Sequence, residues 1–170
     1  LGMYERTQVS LDFFNPTGKS SVQSMLPYLQ KAHTGILVHN SFTSKEDVQI
    51  VGQSMQNAYW CLCPNANQYI EQTMPPIELL RSENAHIILG TDSYASNWSL
   101  SILDELKTIQ KQLPNIPLHE MLSWATINGA KALQMQDQFG SIEKGKKPGL
   151  NLIENVENER ISNAAVRRII

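Results

Sequence analysis

Three short runs of this 170-residue chain hold side chains able to do acid–base or ligand chemistry: His39-Asn40, Cys63-Pro64-Asn65-Ala66-Asn67 and Thr91-Asp92-Ser93. Each closes an apolar stretch. Gly35-Ile36-Leu37-Val38 leads into His39, Ala58-Tyr59-Trp60-Cys61-Leu62 into Cys63, and His86-Ile87-Ile88-Leu89-Gly90 into Thr91. Short apolar runs ending in polar residues read as buried parallel strands. In parallel α/β folds reactive groups collect at the C-terminal strand ends. An imidazole and a carboxylate on strand ends two apart can then face one cavity and share a metal-bound water. Taken singly, each residue has an ordinary reading: His39 satisfies a hydrogen bond, Asp92 caps a turn or helix, and Cys-Pro-Asn-Ala-Asn makes a turn. Their order on three successive strand ends is what favours chemistry.

The elements that must position these ends alternate along the chain. Residues 20–32 read as a helix interrupted at Pro27. Residues 44–57 read as a helix with Ser44 as N-cap, Glu46 and Asp47 in its first turn, and Val48, Val51 and Met55 on its apolar face. A short helix starts at Pro76. Residues 99–112 form a helix with Leu100, Leu103, Leu106 and Ile109 along one side, and residues 117–133 form another. Strand–helix alternation implies a parallel sheet. Three such units are too few to close an eight-stranded barrel, but they suit part of one. After residue 138 a turn-rich connector leads to two strands, residues 150–153 and 165–170, with the polar run 154–163 between them.

Composition narrows the class. Apolar residues make up 41% and charged residues 18%, which is globular rather than disordered. A net charge of −2 offers no basis for binding nucleic acid or an anionic membrane. No apolar run approaches the roughly 20 residues of a membrane-spanning helix, and Leu1-Gly2-Met3-Tyr4-Glu5-Arg6 lacks the shape of a signal peptide. Cys61 and Cys63 are expected on opposite faces of their strand, unbridged; two free thiols suit a reducing cytoplasm. No second Cys/His pair stands at zinc-finger spacing.

The runs ILVHN, CPNAN followed by MPPIELL, and ILGTDSYASNWSLSILDEL together resemble the amidohydrolase superfamily, in its cytosine-deaminase-like, guanine-deaminase-like and chlorohydrolase-like branch. ATINGAKAL and then FGSIEKGKKPGLNLI resemble that family's last barrel helix and its return to a small β-sandwich. The resemblance covers about residues 35–170. It implies an α/β fold: the C-terminal part of a (β/α)8 barrel, about strands six to eight, over residues 1–138, with C-terminal strands of the sandwich over 139–170. It further implies that Asp92 binds a divalent metal, zinc or iron, and moves protons. By the same resemblance His39 contacts the substrate or the attacked centre, and Asn67 and Ser93 contact the substrate. The implied substrate is a small heterocycle bearing an amino group. His33, His86 and His119 match no family position. Tyr94 and Trp98, beside Asp92, are placed either to stack on a planar ring or simply to pack.

One departure from the pattern matters. The family takes two ligands from a His-x-His pair on strand one and a further His from strand five, and this sequence contains no His-x-His. A catalytic zinc takes about three protein ligands, so the chain alone is expected to be incomplete and inactive. The expectation is a piece starting just beyond strand five, associating with itself or with a missing N-terminal half through unpaired strand edges. A catalytically dead binding or assembly module is the alternative. An intact small enzyme working without metal would need a third positioned group.

Overall fold

The computed structural model describes residues 2–29 and 31–170. Leu1 and Gln30 lie outside the described residues, and with Gln30 one position of the helix expected over residues 20–32. Helix α1 (Gly2–Thr7) precedes α2 (Ser21–Leu29), which contains Pro27 and ends two residues beyond it, within a turn of the lost backbone donor. Then β1 (Gly35–Val38), α3 (Lys45–Ser54), β2 (Ala58–Leu62), α4 (Pro64–Glu71), α5 (Ile77–Ser82) and β3 (His86–Leu89) follow. The three strands form a parallel sheet in the order β1-β2-β3, with Leu37 opposite Trp60 and Trp60 opposite Ile87. Helices α6 (Ile102–Gln112), α7 (Leu118–Ala125) and α8 (Ile127–Ala132) come next. Strands β4 (Asn151–Glu154) and β5 (Ala165–Arg168) close an antiparallel pair of their own.

Local chemistry explains where the boundaries fall. Ser44 caps α3 in a complete capping box, its hydroxyl accepting from the Asp47 backbone N–H while the Asp47 carboxylate accepts from the Ser44 N–H. The helix expected from residue 99 begins at Ile102, because Ser101 accepts from the Asp104 N–H and so takes the N-cap position. The helix expected over residues 117–133 breaks at Thr126, whose φ of −132° and ψ of −93° are not helical. Its hydroxyl donates to the Leu122 carbonyl at 2.6 Å. Cys-Pro-Asn-Ala-Asn is more than a turn: it enters α4, with Pro64 at the first helical position, where its missing N–H costs nothing.

Leu37, Trp60 and Ile87 face the main core with Val48 and Val51 of α3, Ile77 and Leu80 of α5, Leu106 and Ile109 of α6, and Met121 and Trp124 of α7. Each such side chain stabilises the fold by roughly 1.5–3 kcal/mol through burial. Ile161, in the run read from sequence as a polar loop, is fully buried in this same core. Its N–H donates to Gln110 Oε1 at 2.9 Å, and Gln110 Nε2 donates to the Glu159 carbonyl at 2.8 Å. An amide on α6 thus draws the loop inward.

The sheet's other face carries Tyr59, Cys61 and Ile88. The expectation that Cys61 and Cys63 diverge is corrected here. Alternate residues of a strand share a face, and the two sulfurs both lie against Gly90. Both remain free cysteines.

Candidate active site

The three polar strand ends converge. His39 still donates its backbone N–H to the Cys61 carbonyl at 3.0 Å, but its φ of +65° and that of Asn40, +52°, turn the chain sharply out of the sheet. Asp92, three residues past β3, also has a left-handed φ, +57°. Left-handed backbone costs roughly 1–2 kcal/mol per non-glycine residue, and Asn and Asp tolerate it best. The turns bring His39 Nε2 to 3.8 Å from Asp92 Oδ2, with each side chain about one-third exposed.

The other imidazole nitrogen is held by α4. His39 Nδ1 lies 3.3 Å from Asn67 Oδ1, and Asn67 is buried. The Asn67 amide donates to Glu71 Oε2 at 3.1 Å and to the Ser41 hydroxyl, which in turn donates to Glu71. A carboxylate only accepts, so the amide NH2 faces Glu71 and the amide oxygen faces the ring. Nδ1 therefore carries the proton in neutral His39, and the Nε2 lone pair faces Asp92. Once protonated, His39 would point an N–H at that carboxylate.

Asp92 is steadied from its own loop. Ser96 Oγ donates to Asp92 Oδ2 at 2.5 Å. Ser93 is exposed; its hydroxyl accepts from the Ala95 N–H at 3.3 Å and its carbonyl from the Ser96 N–H at 3.1 Å, so its ordinary role is to shape this turn. Asn97 Nδ2 donates both to the Thr91 carbonyl and to Glu105 Oε1, each at 2.7 Å. Glu105 Oε2 accepts from the Asn65 backbone N–H at 2.9 Å. One buried carboxylate on α6 thus braces the ends of both β2 and β3. Burial pushes the Glu105 carboxyl up, against hydrogen bonds from Asn65 and Asn97 that pull it down.

Sequence reasoning brought out His39, Asn67, Asp92 and Ser93; the structure brings the first three together and leaves Ser93 at the rim. It missed the roles of Glu71, Ser96, Asn97 and Glu105. The Ser96-Asn97 pair was visible after LGTDS, and Glu105 sits among Leu103, Leu106 and Ile109, a usable signal for a buried carboxylate. His33 and His119 are exposed, and His86, exposed at the start of β3, lies over Tyr59 with ring centroids 5.3 Å apart. Tyr94 and Trp98 are exposed. Among the described residues no group of three or more His, Cys, Asp or Glu side chains could hold a metal ion. Asp92 and His39 do not by themselves fit a resident zinc.

The model of the amidohydrolase family matches residues 20–170. The chain belongs to the amidohydrolase family. This amidohydrolase chain is 35% identical over 124 residues to the 5-methylthioadenosine/S-adenosylhomocysteine deaminase of Teredinibacter turnerae, a match covering 69% of this chain and 28% of that protein. It is 34% identical over 124 residues to the adenosine deaminase of Helicobacter pylori, covering 71% of this chain and 29% of that one. Among solved structures, Helicobacter pylori aminofutalosine deaminase in complex with methylthio-coformycin aligns with a TM-score of 0.74 and 25% identity over 99% of this chain and 45% of that chain. An adenosine deaminase from Xanthomonas campestris with bound zinc aligns with a TM-score of 0.62 and 27% identity, covering 70% of this chain and 28% of that chain. The mixed α/β fold is shared with these amidohydrolase deaminases. The chain spans less than half the length of each of these four relatives.

Proposed function

We propose that this chain is the C-terminal part of an amidohydrolase that deaminates an amino-substituted heterocycle of the nucleobase or nucleoside kind by hydrolysis. Residues 1–138 would supply about strands six to eight of a (β/α)8 barrel, and residues 139–170 the closing strands of a small β-sandwich. The carrying observation is the 3.8 Å approach of His39 to Asp92 across two strand ends. The deaminase names of the relatives at 34–35% identity support the reaction class.

In the reaction C–NH2 and water become C=O and ammonia. Asp92, held by Ser96, accepts a proton from the attacking water and delivers it to the leaving amine. His39, with Nδ1 committed to Asn67, presents Nε2 to the substrate and, once that nitrogen carries a proton, stabilises the negative charge developing there. Asn67 and Ser93 line the substrate's approach. The family resemblance implies a divalent metal, and zinc is named for one relative; the side chains described here do not complete a site for it, which supports the reading that the chain by itself is inactive. Two free thiols agree with a reducing, cytoplasmic setting, and none of the described helices is long and apolar enough to cross a membrane. The test is ammonia release from aminopurine nucleosides by an enzyme containing this chain and the missing ligands. Loss of release on Asp92→Asn is expected; undiminished release would overturn the assignment.

A second reading, a binding or assembly module without catalysis, is favoured by the incomplete ligand set alone. It predicts no ammonia release even after a protein bearing the missing ligands is added.

A further inference from the structure

Cys61 and Cys63 take no part in the chemistry proposed above, yet they adjoin it. A Cβ built on Gly90 would stand 3.0 Å from Cys61 Sγ and 3.3 Å from Cys63 Sγ, so the bare glycine of the neighbouring strand leaves room for both sulfurs. Both sulfurs lie on the one side of the sheet that Gly90 leaves open, next to one another. The two differ in surroundings: Cys61 is half-buried on the sheet face beside Tyr59 and Ile88, whereas Cys63 is 1% exposed. The neighbouring Cys63 thiol draws the Cys61 thiol below its ordinary value despite burial. Cys63 is held well above its own by the adjacent Cys61 sulfur, by burial, and by the nearby charges of Glu105 and Asp92. The more accessible sulfur is therefore the readier thiolate, and the buried one keeps its proton.

We propose that Cys61 and Cys63 form an oxidisable dithiol that hydrogen peroxide closes to an intramolecular disulfide. The Cys61 thiolate attacks one peroxide oxygen; an S–O bond forms, the O–O bond breaks, and the leaving hydroxide takes up a proton as water. The Cys63 sulfur then attacks the Cys61 sulfenic sulfur. An S–S bond forms, the S–OH bond breaks, and the Cys63 proton leaves with that hydroxide as a second water. Two thiols are oxidised and one peroxide is reduced to two waters. Two strand rises of ~3.3 Å separate the Cα atoms by about 6.6 Å, near the upper end of the ~4.4–6.8 Å that disulfides span, and leave the parallel Cβ atoms wider than the ~3.5–4.5 Å a disulfide needs, so closure bends the chain at Leu62–Cys63. A bridge at that limit is readily reduced again by thiols.

The inference stands apart from the deaminase reading and is tested without turnover. The chain is treated with hydrogen peroxide, denatured without reductant and weighed. The expected product is a monomer lighter by two hydrogens, with no titratable thiol, restored by dithiothreitol. Chains cross-linked to one another, oxygen added to Cys61 while Cys63 stays alkylatable, or two surviving thiols where free cysteine is consumed would each overturn it. Cys63→Ser should leave a Cys61 sulfenic acid that dimedone traps, while Cys61→Ser should leave Cys63 unoxidised. The reverse pattern would overturn the assigned order of attack.

Discussion

His39 Nε2 and Asp92 Oδ2 lie 3.8 Å apart although β1 and β3, the strands that lead to them, are separated by β2. Strands once removed are spaced roughly 9.6 Å apart in a flat sheet. Left-handed turns at both residues and the prop of Asn67 against the imidazole close that distance. Positioning therefore comes from three elements, and each can be perturbed separately.

Asp92→Asn should cut turnover of a complete enzyme by about 10²–10⁴-fold, the usual worth of a positioned proton-transfer group. Ser96→Ala removes only the hydroxyl that steadies Asp92. Losing one such hydrogen bond to a charged group, about 1.5–3 kcal/mol, corresponds to a loss of roughly 10- to 150-fold at most. Steady-state ammonia release reads both, and an equal loss in the two variants would contradict the assigned roles.

Glu105 gives a pH signature in folding. Burial raises its carboxyl above the ordinary value of 4.5, so the folded chain holds this proton more tightly than the unfolded chain. Its contribution to stability is complete below 4.5 and is lost as pH rises through the folded value. Glu105→Gln has no such titration. The unfolding midpoint of the native chain, relative to this variant, should fall as pH rises from below 4.5 toward neutrality. Thermal denaturation across that range checks the sign.

The strands, the α3 cap and the convergence of His39 with Asp92 were legible because each follows from short-range pattern: apolar runs, a Ser with Asp three residues on, polar groups at strand ends. What brings Asn97 and Glu105 into the site is hydrogen bonding between elements apart in sequence, as between Glu105 and the Asn65 N–H. Periodicity holds no record of such partners. The buried Ile161 escaped for a similar reason: its surroundings in sequence are polar, and Gln110 on a distant helix satisfies its backbone.

Asp47 has the opposite sign to Glu105. It is buried, which raises its carboxyl, but hydrogen bonds from Ser20 at 2.6 Å, Gln23 at 2.7 Å and the Ser44 N–H at 2.9 Å outweigh that and hold it below 3.8. The stability it contributes is present above 3.8 and lost as pH falls through the folded value. Asp47→Ala should cost about 1–3 kcal/mol at neutral pH by leaving its donors unpaired. The loss should shrink in acid, which urea titrations at the two pH extremes would reveal.

The sheet itself makes the last prediction. In the three-stranded order β1-β2-β3 the outer strands each pair on one side only. On the face away from the main core Ile36 is 39% and Val38 49% exposed. Apolar side chains beside unpaired strand edges favour association. The chain alone should therefore sediment as a concentration-dependent mixture, and Val38→Glu, which sets a charge on that face, should shift it toward monomer. A monodisperse monomer of the unaltered chain would mean that the exposed face and edges are too small or too twisted to pair.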